Sequence, residues 1–399
     1  MYYGMSFCYA CFETAPIIVW IFWLILWAMR IISAVINDLV TDQRVHRSCM
    51  LMHDMGYDVT LVGRRLPDSL PMPERPYRCI RMRLPFRTGP AFYAVFNIHL
   101  FFRLLFSRFD AVWANDLDTL WACRLASKMK RKKLIFDSHE YFTGVPELEG
   151  RPRVQKFWKR IERRIVPKLP FMITVNDSIA ELFRNEYNIP VLVVRNVPLR
   201  NHLQSSKTRA ELGLPDDKKI LLVQGRGINI DRGVEEMVLA MKHIEGALLL
   251  IIGGGDVFPV IKKMVETENL SDKIITLPPM NREDLMKYTM TADIGLTLDK
   301  DTNINYRYSL PNKIFDYIQA GLAVMCTNLV EVAKIVNTYE VGAVTQSSEP
   351  SALASTVKMM ISDEARLNEW KKNASKVSEL LCWENESKEL NEKLREYLG

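Results

Sequence analysis

The amino-acid sequence predicts an α/β protein of two Rossmann-like domains facing each other across a cleft, with a hydrophobic N-terminal extension. Three observations lead there. At 399 residues the chain exceeds what one core usually organises, since single cores rarely grow far beyond about 250 residues. Short β-branched runs alternate with helical periods through both halves of the chain. One polar stretch, VPLRNHLQSSKTRAELGLPDDKK (197–219), interrupts that alternation, which then restarts.

In order along the chain, the strand candidates of the first half are IISAVI (31–36), DVTLVG (58–63), DAVWA (110–114), KLIFD (133–137), FMITV (171–175) and VLVVR (191–195). Helical stretches fall between them near 44–55, 91–107, 117–130, 152–166 and 177–187. Continuous apolar strands separated by helices imply a parallel sheet covered on both faces. The second half repeats the pattern with KILLVQG, ALLLIIG, KIITL, DIGLTL and LAVMCT. The expected divisions are a hydrophobic segment 1–30, a first domain 31–198, a linker 199–218, a second domain 219–380 and a closing helix 381–399. Leu390, Leu394 and Leu398, four residues apart, give that helix one apolar face.

Composition is that of a globular protein, 48% hydrophobic and 25% charged, which excludes disordered and collagen-like classes. Seven scattered cysteines fit a reduced compartment better than a disulfide framework, and the lone Cys8–Cys11 pair has no partners for a metal site. Charge is uneven: residues 1–200 carry 29 Lys and Arg against 18 Asp and Glu, the remainder 24 against 29. A basic first half attracts anionic lipid, polyphosphate or nucleic acid alike, but no nucleic-acid-binding signature accompanies the charge, so nucleic acid is not an expected partner. Residues 15–29 are uncharged and apolar, somewhat short of the roughly 20 residues that span a bilayer. They are either a membrane segment, which by the arginines after it leaves the globular part in the cytoplasm, or an upstream extension of the reading frame.

In parallel sheets ligands bind outside the carboxyl ends of the strands, and the unusual residues sit there. VQGRGINIDRG (223–233) follows a strand and opens a helix. Gly225 and Gly227 let a ligand approach the backbone, while Arg226 and Arg232 supply two permanent cations suited to a diphosphate. The plainer reading is a glycine turn with two solvent-facing arginines. In YSLPNKIFDYIQAG (308–321), Ser309 is placed to cap a helix with Pro311 in its first turn. Lys313 and Asp316, with Asn312 just before them, then offer a cation for phosphate and a carboxylate for a diol, unless Asp316 merely matches the helix dipole. FDSHEYF (136–142) brings His139 and Glu140 to a strand end, where a ligand role competes with a structural one. Asp42 and Arg44 follow the first strand and are candidates for the cleft floor. Neither GxGxxG nor HExxH is present, so neither a dinucleotide nor zinc is implied, and no metal or cofactor is expected.

From about residue 31 onward the chain resembles the group 1 retaining glycosyltransferases of the GT-B fold, most closely the bacterial surface-polysaccharide type. The resemblance rests on NDLVTDQRVHRS, NDLDTL, FDSHEYF, GRGINIDRG, IIGGGD, ADIGLTL and SLPNKIFDYIQAG, in that order. It implies a nucleotide-diphosphate sugar as donor and a hydroxyl of a glycan or lipid-linked molecule as acceptor, with retained configuration and no metal. It implies that Arg226 and Arg232 grip the donor diphosphate and that His139 lines the sugar site. Asp316 matches the second carboxylate of the family's Glu-x7-Glu motif, whereas Tyr308 stands where the first would be. The place implied is the inner face of the cytoplasmic membrane.

Two stretches bear on that place. RPRVQKFWKRIERRI (151–165) is an amphipathic basic helix that either lies on anionic lipid or packs on its sheet, and residues 78–109 add arginines and aromatics. Rival readings are a metal-dependent GT-A enzyme using Asp116 and Asp118 or Asp299 and Asp301, a sugar-nucleotide epimerase of the same fold, and a non-catalytic membrane-associated module.

Overall fold

The computed structural model describes residues 28–67, 69–200 and 207–399. Nearly all of the expected N-terminal segment, including most of the apolar run 15–29, lies outside these, as do residues 201–206 of the expected linker.

Two parallel sheets are present. The first contains β1 (Arg30–Asp38), β2 (Asp58–Arg65), β3 (Arg78–Arg83), β4 (Ala111–Asn115), β5 (Lys133–Ser138), β6 (Met172–Thr174) and β7 (Val191–Val193), in the order β3-β2-β1-β4-β5-β6-β7. The second contains β8 (Lys219–Gly225), β9 (Ala247–Gly253), β10 (Ile274–Leu277), β11 (Ile294–Thr297), β12 (Ala323–Thr327) and β13 (Gly342–Thr345), in the order β10-β9-β8-β11-β12-β13. Both orders reverse direction once, between β1 and β4 and between β8 and β11. That reversal is the switch point at which doubly wound sheets hold ligands.

The central strands follow from their sequences: ALLLIIG of β9 is buried at every residue and KILLVQG of β8 at all but its ends, as strands covered on both faces must be. Leu221, Val223, Leu249, Ile251 and Leu296 of this sheet pack with Val238, Met241 and Ile261 of the covering helices. The strands that the apolar pattern does not reveal are β3 and β13. Both are edge strands, and RCIRMR keeps only Met82 buried, so no apolar run is needed to hold it.

Helix ends are set locally. The Asp42 side chain accepts from the Val45 amide and starts the helix Gln43–Asp54, and Asn176 accepts from the Ile179 amide and starts Asp177–Tyr187. Pro152 begins the helix Pro152–Ile165, where an amide is not needed. In that helix Trp158 and Ile165 are buried while Val154 and Phe157 are exposed, so only part of its apolar stripe packs. The closing helix Trp383–Leu398 buries Leu390, Leu394 and Leu398.

By contact density the chain divides into two compact units, residues 1–137 with Leu398 and residues 138–397 with Gly399. Within the second unit, residues that follow β5 bind directly to elements that follow β11. Ser178 donates its amide to Glu331, the Asn176 side chain donates to the Tyr308 carbonyl, and Arg195 forms a two-pronged pair with Glu386. These bonds explain why residues 138–197 cluster with the second sheet.

Within the first unit the main buried charge pair is Arg44–Asp137, 3% and 1% exposed, with Nε donating at 3.1 Å and a terminal nitrogen at 2.7 Å. It ties the helix after β1 to the end of β5. Removing one partner strands the other charge in the core, whereas replacing both with apolar groups does not. Arg44→Ala is expected to lower stability by about 3 kcal/mol or more. Arg44→Met combined with Asp137→Leu is expected to recover much of that loss, as read by urea denaturation followed by fluorescence.

Candidate active site

Because β8 and β11 flank the switch point of the second sheet, their outgoing loops are brought side by side. The loop after β8 is pinned to the end of β11 by its backbone: the Lys300 amide donates to the Asp231 carbonyl at 2.9 Å. Gly233 has φ +70°, and a Cβ there would lie 2.2 Å from the Leu298 carbonyl oxygen, so only glycine permits this approach. Arg232 therefore arrives beside Asp299, two residues past β11. The helix that follows begins at Val234.

Asp299 is 1% exposed and is the centre of the arrangement. A terminal nitrogen of Arg232 donates to its Oδ2 at 2.7 Å, and Lys313 Nζ lies 3.7 Å from its Oδ1. The Arg232 guanidinium also lies over the Tyr306 ring, 4.4 Å from the centroid. Burial by itself disfavours charge on Arg232, but Asp299, with Tyr306 and Glu140, outweighs it and holds the group above its usual pKa. Lys313 differs. Burial pushes its pKa below the lysine range, Asp299 opposes that, and repulsion from Arg232 adds to it. Two cations thus share one carboxylate, leaving one positive charge in excess at the sheet rim.

Arg226 is exposed at the end of β8. A Cβ on Gly225 would meet no atom within 4 Å, and one on Gly227 only the Asn229 side chain, at 3.6 Å. These glycines leave open space; they relieve no clash. The glycines of IIGGGD act differently. The Ile228 amide donates to the Gly254 carbonyl at 2.7 Å, and a Cβ on Gly255, at φ +136°, would lie 2.3 Å from Ile228 O. That loop zips onto 225–229 and fixes its path.

The helix Lys313–Gln319 starts with Asn312 in the capping position, exposed and without a side-chain cap bond. Ser309 does not cap it, because the chain through Pro311 separates the two. Asp316 is held by Arg282 at 2.8 Å and by the Gln224 amide at 3.5 Å, and Gln224 accepts from Thr289 at 2.7 Å. The Asp316 carboxylate is thus oriented from β8 and from the helix Arg282–Thr289.

After β5, His139 and Glu140 are half-buried. Asn305 holds this loop with both ends of its amide: Nδ2 donates to Glu140 Oε2 at 3.1 Å, and Oδ1 accepts from the Tyr141 amide at 3.2 Å. Its neighbour Tyr306 carries Arg232. Glu140, next to His139 in the chain, is therefore joined to the Arg232–Asp299–Lys313 cluster through two consecutive residues. Asp42 and Arg44, in the other unit, serve as helix cap and buried ion-pair partner. Residue type and local spacing point to the cations but not to Asn305, Tyr306, Gln224 or Arg282. In the sequence Asp299 stands out only as half of a DxD pair, whereas in the structure Asp301 pairs with Arg307 at 2.9 Å.

Two doubly wound parallel sheets, the second with a cationic rim at its switch point, are the architecture of the GT-B fold. Residues 204–377 match the model of glycosyl transferases group 1, and residues 43–197 that of glycosyltransferase family 4. The chain belongs to the group 1 glycosyltransferases, which transfer sugar from a nucleotide sugar. Comparison with curated sequences gives no match. Among solved structures, sucrose-phosphate synthase from Thermosynechococcus elongatus is similar, with TM-score 0.77, 17% identity, and coverage of 92% of this chain and 99% of that one. HepE of Anabaena, solved with UDP-glucose, has TM-score 0.71, 13% identity and coverage of 92% and 100%. WaaG, a glycosyltransferase involved in lipopolysaccharide biosynthesis, has TM-score 0.66, 14% identity and coverage of 92% and 99%.

The lowered pKa of Lys313 has a measurable consequence. An anionic ligand beside it raises that pKa, so binding takes up protons at pH values between the free and bound pKa, and affinity falls as pH rises through this window. Calorimetry of UDP binding over a series of pH values below the ordinary lysine range, in buffers of differing ionisation enthalpy, is expected to show proton uptake. Lys313→Arg, which cannot titrate in this range, is expected to abolish it.

Proposed function

We propose that the enzyme transfers a sugar from a nucleotide diphosphate to a hydroxyl of a glycan or lipid-linked acceptor, with retention and without a metal ion. The observation that carries this is the Arg232–Asp299–Lys313 cluster beside the open Gly225–Gly227 turn and exposed Arg226. Negative charge builds on the departing diphosphate as the sugar becomes oxocarbenium-like. Arg226, Arg232 and Lys313 supply positive charge where that happens. Asp299 keeps two of them in place before the donor arrives, so little reorganisation accompanies the reaction. In HepE, the crystallised ligands are UDP, glucose and UDP-glucose, which favours a uridine sugar nucleotide here.

The bond from the anomeric carbon to the diphosphate oxygen breaks, and the acceptor oxygen bonds to the same carbon on the same face. The acceptor's proton passes to the leaving phosphate oxygen. Asp316 is placed for the donor ribose, His139 for the sugar, and Glu140, held by Asn305, for the sugar or acceptor. An epimerase of this fold would alter the donor without an acceptor, so product analysis with acceptor omitted separates the two.

A thermal-shift screen of nucleotide sugars identifies the donor, since binding stabilises by RT ln(1 + [L]/Kd). With that donor, Arg226→Ala and Arg232→Ala are each expected to lower turnover about a hundredfold or more, a loss of roughly 3 kcal/mol of transition-state stabilisation. Circular dichroism should be unchanged. Near-normal turnover in both variants would falsify the diphosphate assignment.

A further inference from the structure

Residues 75–109 contain seven arginines and no Lys, Asp or Glu. Two of the seven have structural partners: Arg75 bonds Tyr77 and the Leu39 carbonyl, and Arg81 bonds Asp38 and the Leu70 carbonyl. The exposed Arg83, Arg87, Arg103 and Arg108, and Arg65 of β2, have no carboxylate partner among the described residues. A pocket of about 360 Å³ at the carboxyl ends of β2 and β3 is lined by Arg64, Arg65, Arg83, Phe86, Arg87 and Phe92. Arg64 lies over the Phe92 ring at 4.9 Å and donates to the Arg87 carbonyl, which keeps the pocket wall formed.

The helix Gly89–Phe106 leads out of this pocket and is apolar on two faces. Phe92, Phe96, Leu100 and Leu104, spaced by four, are buried. Ile98, Phe102 and Phe106, also spaced by four, are 49%, 50% and 81% exposed. The second set is two residues out of phase with the first, about 200° around the helix, so it points away from the core. Phe102 and Phe106 stack, 6.3 Å apart and 12° from parallel, forming one continuous ridge. The helix is long and apolar enough to cross a bilayer, but its inner stripe is locked into the core. It can only lie flat against a surface.

We propose that the arginine pocket and the Ile98–Phe102–Phe106 ridge together dock on an anionic lipid bilayer. The helix lies in the interface, and Arg65, Arg83 and Arg87 contact lipid phosphates. The charge decides the occupant. A run of arginines without one acidic residue, continuous with an aromatic ridge, matches a surface that is anionic at its headgroups and apolar just beneath. This face belongs to the first unit and is separate from the proposed donor site in the second.

The test is hydrogen–deuterium exchange of the full chain, followed by mass spectrometry, with phosphatidylcholine vesicles containing or lacking phosphatidylglycerol. Amides of residues 84–106 are expected to exchange several-fold more slowly on vesicles containing phosphatidylglycerol. The pairs Arg83→Glu with Arg87→Glu, and Phe102→Ser with Phe106→Ser, are each expected to remove this slowing while leaving the thermal shift with UDP unchanged. Exchange at 84–106 that ignores vesicles, protection confined to residues 1–29, or equal protection by both vesicle types overturns the proposal. So does protection by polyglutamate but by neither vesicle, which would give the surface to an acidic protein. A missing UDP shift in the parent chain counts against the donor site and leaves this surface untouched.

Discussion

The buried carboxylate of Asp299 is the interaction on which the rest of the proposed donor site depends. Without it, Arg232 and Lys313 would be two like charges packed at one sheet rim, each partly stripped of water. Shared between them, it holds both near the end of β11 and still leaves the rim positive. A site organised in this way binds an anion without assembling its cations first. The energy of holding them is part of the folded structure, and the diphosphate proposed to bind there would meet charges already fixed.

That carboxylate is useful only because the backbone brings its partners to it. Gly233 allows the loop after β8 to pass against Leu298, and the Gly253–Gly255 turn is zipped to residues 225–229. Asn305 and Tyr306, from one short helix, then connect opposite sides of the site: one holds the Glu140–Tyr141 backbone and side chain, the other lies under Arg232. The glycine-rich stretches therefore divide their work. Some leave space for a ligand, and others let two loops touch.

Most of the fold was legible in the sequence because central strands of a parallel sheet must be apolar throughout. β8 and β9 are written as uninterrupted runs, and the helices between strands keep their period. β3 and β13 were not legible, since both edge strands are only partly buried, and RCIRMR buries Met82 alone and leaves Arg78 and Arg83 exposed. The start of one helix was not legible either: Ser309 has the right chemistry for a cap, but the turn through Pro311 delays the helix to Lys313.

By itself the sequence determined the two-sheet class, the family motifs and the cations Arg226, Arg232 and Lys313, because these depend on residue type and local spacing. Only the tertiary structure decided which groups those cations meet. Asp299 is 67 residues from Arg232, and Asn305 is 165 from Glu140, separations at which no periodicity or propensity acts. It also decided that one apolar helix has two faces, one in the core and one in solvent. Burial is a property of what packs alongside, and no single helix carries that information in its own residues.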